Sequence, residues 1–149
     1  MPKVMILGGT TEAVELAKYL ATDDHFVPFT SLAGRTRNPA AVEGAMRRGG
    51  FGGVDGLANY LKVENIDAVV DATHPFASQI SAHAVDACDQ IKIPLVRLTR
   101  APWIMDPRDQ WTVVSSVAEA AEALPPNIRT FVTTGRQNLA PFLCRDDLW

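Results

Sequence analysis

The feature that most limits what this chain can fold into is an alternation. Along 149 residues, a strand-like apolar run, a turn and a helically spaced apolar pattern follow one another at least four times. Antiparallel strands are joined by tight hairpins. Parallel strands need a crossover of about a dozen residues or more, usually a helix. The alternation therefore predicts an α/β fold built on a doubly wound parallel sheet.

The individual elements can be read from residue spacing. Lys3, Val4, Met5, Ile6 and Leu7 form an unbroken apolar run closed by Gly8-Gly9, which suits a strand covered on both faces. Ala13, Leu16, Ala17 and Leu20 then recur at helical spacing, with Thr10 or Thr11 placed to cap that helix. Residues 26–32 read as the second strand and residues 33–39 as a loop. Residues 40–49 fit either a short helix or a third strand. Val54, Leu57 and Leu61 mark a helix, and residues 67–72 a strand. Pro75 suits the first turn of the next helix, whose apolar face is Phe76, Ile80, Ala84, Ala87, Cys88 and Ile91. Residues 94–98, 111–115 and 129–134 read as further strands, and residues 101–110 as a loop. Ser116 and Glu119 have the spacing of a capping box. Pro125-Pro126 is the expected boundary, separating a Rossmann-like domain at residues 1–124 from the start of a truncated second α/β domain at 125–149.

Composition removes several function classes. The net charge of −3 gives no electrostatic argument for nucleic acid or an anionic membrane. No apolar run approaches the roughly 20 residues of a membrane span, and the apolar start is too short for a signal segment. A soluble, cytoplasmic protein is expected. Cys88 and Cys144 stand far apart without C-x-x-C spacing, so neither a disulfide nor a zinc site is expected. No His/Cys/carboxylate cluster suggests a metal.

In open α/β sheets, ligands bind beyond the carboxyl ends of the strands, and the polar residues of this chain collect at such positions. Gly8, Gly9, Thr10, Thr11 and Glu12 form a turn opening into a helix, which suits a pyrophosphate or is a plain strand-to-helix turn. The dinucleotide fingerprint wants glycine third in this turn. Thr10 stands there, and its hydroxyl is expected to donate to phosphate. An NAD enzyme usually carries an acidic residue after its second strand. This chain offers Ser31, Arg35, Thr36 and Arg37 instead, which favours a 2′-phosphate and hence NADPH, or else forms a solvated basic loop. Gly50, Phe51, Gly52 and Gly53 suit close approach of backbone to a flat ligand, or a surface hairpin. Thr73 and His74 sit where a buried strand opens into a helix. His74 there is either a proton carrier or a helix cap. Thr134, Gly135 and Arg136 suit a carboxylate or phosphate, or are a hydrophilic strand end.

In this order, the segments ILGGTTEA (6–13), SLAGRT (31–36), GGFGG (49–53), DATHPFA (71–77), RLTRAPW (97–103) and TTGR (133–136) resemble the precorrin-6A reductases of cobalamin (vitamin B12) biosynthesis. The resemblance implies a two-domain enzyme with a nicotinamide-binding N-terminal domain. It implies hydride transfer from NADPH to a ring double bond of precorrin-6A, or of its cobalt-loaded counterpart. The substrate implied is a carboxylate-rich tetrapyrrole, for which Arg97, Arg100 and Arg136 are candidate partners. Family members look longer than this chain, so part of the substrate site is expected to be missing and activity partial or absent. Self-association is left open. Two rivals remain: an NADPH reductase of dihydrodipicolinate-reductase-like type, and a non-catalytic nucleotide-binding domain.

Overall fold

A computed structural model describes residues 1–33, 43–135 and 138–148. These fall into two compact units, Met1–Ala101 and Pro102–Trp149. The division lies ahead of the expected boundary, and Pro125-Pro126 falls inside the second unit.

The first unit holds the five strands β1 (Lys3–Leu7), β2 (Val27–Leu32), β3 (Ala45–Arg48), β4 (Ala68–Asp71) and β5 (Leu95–Arg97). They form one sheet in the order β3-β2-β1-β4-β5, with every pairing parallel. Of the two readings for residues 40–49, the strand holds for Ala45–Arg48; residues 40–42 lie outside the described set. Met5, Ile6 and Leu7 are fully buried because central β1 has helices over both faces. On one face, α1 (Thr11–Ala21) packs Ala13, Ala17 and Leu20 against Val4 and Ile6. On the other, α2 (Val54–Val63) and α3 (Ser78–Ile91) pack Leu57, Leu61, Ala84 and Ala87 against Met5, Leu7 and Val69. Burying a leucine such as Leu57 or Leu61 contributes about 1.5–3 kcal/mol. Cys88 belongs to this core, and burial pushes its thiol up to about 11. It packs as a small apolar residue.

Pro75 does not begin α3. Ala77 N–H donates to the His74 carbonyl at 2.8 Å, which closes a turn with proline second, a position its fixed φ suits. The helix starts three residues later, at Ser78. Phe76 is consequently held in the turn and is 80% exposed, rather than part of the α3 apolar face.

The second unit contains α4 (Val117–Glu122) and α5 (Ala140–Leu143). Ser116 caps α4 by accepting from Glu119 N–H at 3.1 Å. The Glu119 carboxylate turns to Ser115, accepting from its N–H at 2.7 Å and its hydroxyl at 2.6 Å. The expected strands at 111–115 and 129–134 do not form. Among the described residues, the only pairing here is an isolated parallel bridge between Ile128 and Leu148. Val113 and Phe131 stay exposed, since a strand without a neighbour cannot satisfy its backbone. Arg145 closes the end of α4 instead, donating to the Ala121 and Leu124 carbonyls at 2.7 and 2.8 Å.

Candidate functional site

Because every strand of the first unit runs the same way, all its strand-to-loop turns leave one edge of the sheet. Backbone bonds stitch them into a continuous rim. Gly8 N–H donates to the Ser31 carbonyl and Gly49 N–H to the Leu32 carbonyl, both at 2.9 Å. Ala72 N–H reaches the Leu7 carbonyl at 3.0 Å, and Leu98 N–H the Asp71 carbonyl at 2.9 Å. The chain winds outward from β1 to β3, then crosses to β4 on the other side of β1. Strand order therefore reverses between β1 and β4, where such folds open a ligand crevice.

Thr10 ties the two walls of that crevice together. Its hydroxyl donates to the Ala72 carbonyl at 2.7 Å and accepts from Ala13 N–H at 3.2 Å, capping α1. The hydroxyl proton expected for a phosphate is therefore already engaged. What this turn offers an anion is backbone N–H and the positive end of α1.

The sequence suggests Glu12 for the cofactor and Arg100 for the substrate, but here the two bind each other. The Arg100 guanidinium makes a two-pronged ion pair with the Glu12 carboxylate, through Nε to Oε1 and through Nη2 to Oε2 at 2.9 Å. The hydrogen bond from Arg100 holds the Glu12 carboxyl below its ordinary range, helped by the backbone N–H of Glu12 itself. The same bond raises Arg100. The pair lines a narrow cleft with Thr10, Thr73, His74 and Leu98.

Asp71, at the end of β4, is a site residue that sequence reasoning passed over. It is 3% exposed. Its Oδ1 accepts from Thr73 N–H at 3.1 Å and from the Thr73 hydroxyl at 2.6 Å. Its Oδ2 lies 3.7 Å from Nε of Arg97, its register partner on β5. A carboxylate buried at the end of an apolar strand was the available signal, since such a group needs donors. Asp71 thus fixes Thr73 and answers the charge of Arg97. His74 is exposed, and its Nδ1 accepts from Phe76 N–H at 3.2 Å, while Nε2 has no hydrogen-bond partner among the described residues.

The opposite end of the rim is built around Arg47, another residue the sequence reading did not assign. From the end of β3, its Nη1 donates to the Ser31 hydroxyl at 3.1 Å and the Gly49 carbonyl at 2.9 Å, and its Nη2 to the Gly50 carbonyl at 3.0 Å. The guanidinium carbon stands 4.0 Å from the Phe51 ring centroid and 4.7 Å from that of Tyr60. Gly53 starts α2 at φ 100°, and a Cβ on Gly56 would fall 1.8 Å from the Phe51 carbonyl oxygen. The glycines thus serve a structured loop. That loop follows β3, while Thr73 and His74 follow β4, and β2 and β1 stand between the two strands. Gly50–Gly53 belongs with Ser31.

Arg35, Thr36 and Arg136 lie outside the described residues. In the second unit, Gly135 has φ 77° and the Thr134 hydroxyl is buried with no hydrogen-bond partner among the described residues. No group of three or more His, Cys, Asp or Glu poised to hold a metal occurs among the described residues. No helix there is long and apolar enough to cross a membrane.

Fold and crevice together define a Rossmann-like α/β unit with its polar residues gathered at the switch point and along the adjoining strand ends. The family model described as precorrin-6x reductase CbiJ/CobK matches residues 3–149, and the chain belongs to that family. It is 49% identical over 142 residues to a precorrin-6A reductase of Sinorhizobium sp, covering 95% of this chain and 54% of the relative. To a precorrin-6A reductase of Rhodococcus erythropolis it is 46% identical over 150 residues, covering 100% and 60%. A solved structure of CobK precorrin-6A reductase superposes with a TM-score of 0.93 at 47% identity, covering 99% of this chain and 59% of that one. The chain thus spans between half and two thirds of the length of these relatives.

Proposed function

We propose that this chain binds NADPH along the carboxyl edge of its sheet and serves as the cofactor-binding part of a reductase acting on precorrin-6A. The product is precorrin-6B, with one ring double bond reduced. Family membership supports the substrate class. The observation that carries the choice of cofactor is the end of β2. Ser31 stands there beside the Arg47 guanidinium, and no residue of Val27–Leu32 is acidic.

The residues present fit such a cofactor. Backbone N–H groups of Gly9, Thr10 and Thr11 at the start of α1 would meet the pyrophosphate, while that of Gly8 is held by the Ser31 carbonyl. Glu12 and Arg100 line the narrow cleft beside this turn. Ser31 with Arg35 and Thr36 would face the 2′-phosphate, next to Gly50, Phe51, Gly52 and Gly53. Thr73, fixed by Asp71, and His74 would flank the nicotinamide.

Bound NADPH supplies hydride to the ring double bond. The protein orients the two partners and keeps water out. Nε2 of His74, or a water, would deliver the accompanying proton. Carboxylates of the tetrapyrrole would meet Arg97 and Arg100 in the first unit; Thr134, Gly135 and Arg136 are carried as separate candidates in the second. The substrate domain implied by the longer relatives is part of the same proposal.

Fluorescence titration with NADPH and NADH tests the reading. Tighter binding of NADPH is expected. Tighter binding of NADH, or binding of neither, defeats it.

A further inference from the structure

We infer that Arg47, a residue outside the set assigned from sequence, is the specificity-determining contact for the 2′-phosphate of NADPH. The inference rests on the dinucleotide reading above and deepens it.

Position is the first argument. Arg47 pairs in register with Ser31, so both side chains leave the same face at the same edge. That edge is where dinucleotide folds read the ribose 2′ position, with an acidic residue for a hydroxyl or an arginine for a phosphate.

Charge is the second. Arg97 and Arg100 are each neutralised by a carboxylate. The partners of Arg47 are a hydroxyl, two carbonyls and two aromatic rings. These fix the guanidinium and leave its positive charge uncancelled.

Donor count is the third. A guanidinium has five N–H donors, and three of those on Arg47 go to Ser31, Gly49 and Gly50. Among the described residues nothing takes the other two, the number a bidentate phosphate contact needs. The side chain is already ordered by stacking on Phe51 and Tyr60, so little further conformational entropy is lost when phosphate arrives.

The test is titration of the whole chain and two variants with NADPH and NADH. Arg47→Met keeps the stem over Phe51 but removes the charge. Arg47→Gln keeps amide donors for the Gly49 and Gly50 carbonyls. Circular dichroism checks that each variant is folded, and Arg47→Gln decides the matter if Arg47→Met is not. The wild type is expected to prefer NADPH. Each folded variant should lose about 10- to 100-fold in NADPH affinity, the scale of hydrogen bonds to a charged group. Loss for NADH should stay within about threefold, since a neutral 2′-hydroxyl gains less from a cation. Equal loss for both cofactors would mean that Arg47 only moulds the glycine loop, and overturns the inference. So does a preference that survives in the folded variants. Failure of the wild type to bind either cofactor brings down the dinucleotide reading itself, and this inference with it.

Discussion

The two ends of the rim treat their arginines differently. At the β1/β4 end, Arg97 and Arg100 are met by Asp71 and Glu12. At the β2/β3 end, Arg47 is met by neutral groups only, and no carboxylate among the described residues pairs with it. Both ends are ordered, but by different means. Carboxylates order the first and cancel its charge. Carbonyls and rings order the second and leave the charge in place. An anion approaching this edge is thus drawn to the β2/β3 end, and at the β1/β4 end must compete with a carboxylate already there. Discrimination between cofactors should accordingly reside at the β2/β3 end and general pyrophosphate affinity at the β1/β4 end.

The largest effect expected from a single change at the β1/β4 end is on stability. Asp71→Ala strips Thr73 of its acceptor and leaves Arg97 without its partner. A loss of about 2–3 kcal/mol is expected, the range for leaving groups bonded to a buried charge unsatisfied. Urea unfolding followed by circular dichroism measures it. Asp71→Asn, which keeps an acceptor for Thr73, should lose less. Unchanged stability in Asp71→Ala would show that the carboxylate does not organise this end. The ratio of NADPH to NADH affinity should stay as in the wild type, because the 2′ position is read elsewhere.

Gly56→Ala probes the other end. In an open helix the change would stabilise by about 1 kcal/mol. Here the new methyl meets the Phe51 carbonyl at 1.8 Å, and backbone must move. A net destabilisation of about 1–3 kcal/mol, as for overpacking, is expected. NADPH affinity should fall with it, since the displaced loop carries the carbonyls that hold Arg47. A more stable variant with wild-type affinity would mean that the loop does not govern this arginine.

The two ends also show how far the sequence could be read. The glycines at 50–53 fit either a ligand-hugging loop or a surface hairpin, whereas the apolar runs of β1 and β4 point directly to buried strands. What spacing could not supply was strand order. Only the crossover from β3 to β4 separates the glycine loop from the Thr73–His74 turn, and no local pattern encodes it. Arg47 was illegible for a related reason. It looks like half of a surface Arg-Arg pair until β3 is laid beside β2 and its side chain meets Ser31. Residues 111–115 and 129–134 mark the opposite failure. Their strand-like composition is real, but a strand forms only against a neighbour, and composition does not say whether one is there.

The smallest expected effect tests the same contrast most directly. Glu12→Gln removes the anion that occupies Arg100 and the start of α1. In the wild type that carboxyl titrates below its ordinary value, because Arg100 bonds to its charged form. The pair is therefore intact at neutral pH and above. It is lost only as pH falls through the lowered value. At neutral pH the glutamine variant should thus bind NADPH and NADH more tightly than the wild type, by roughly threefold or less, since exposed ion pairs are weak and screened by salt. The gain should be the same for both cofactors, which share the pyrophosphate and differ only at the 2′ position. As pH is lowered through the titration of Glu12, wild type and variant should converge. A gain confined to NADPH would put the influence of Glu12 at the β2/β3 end, and the division of labour along the rim would not stand.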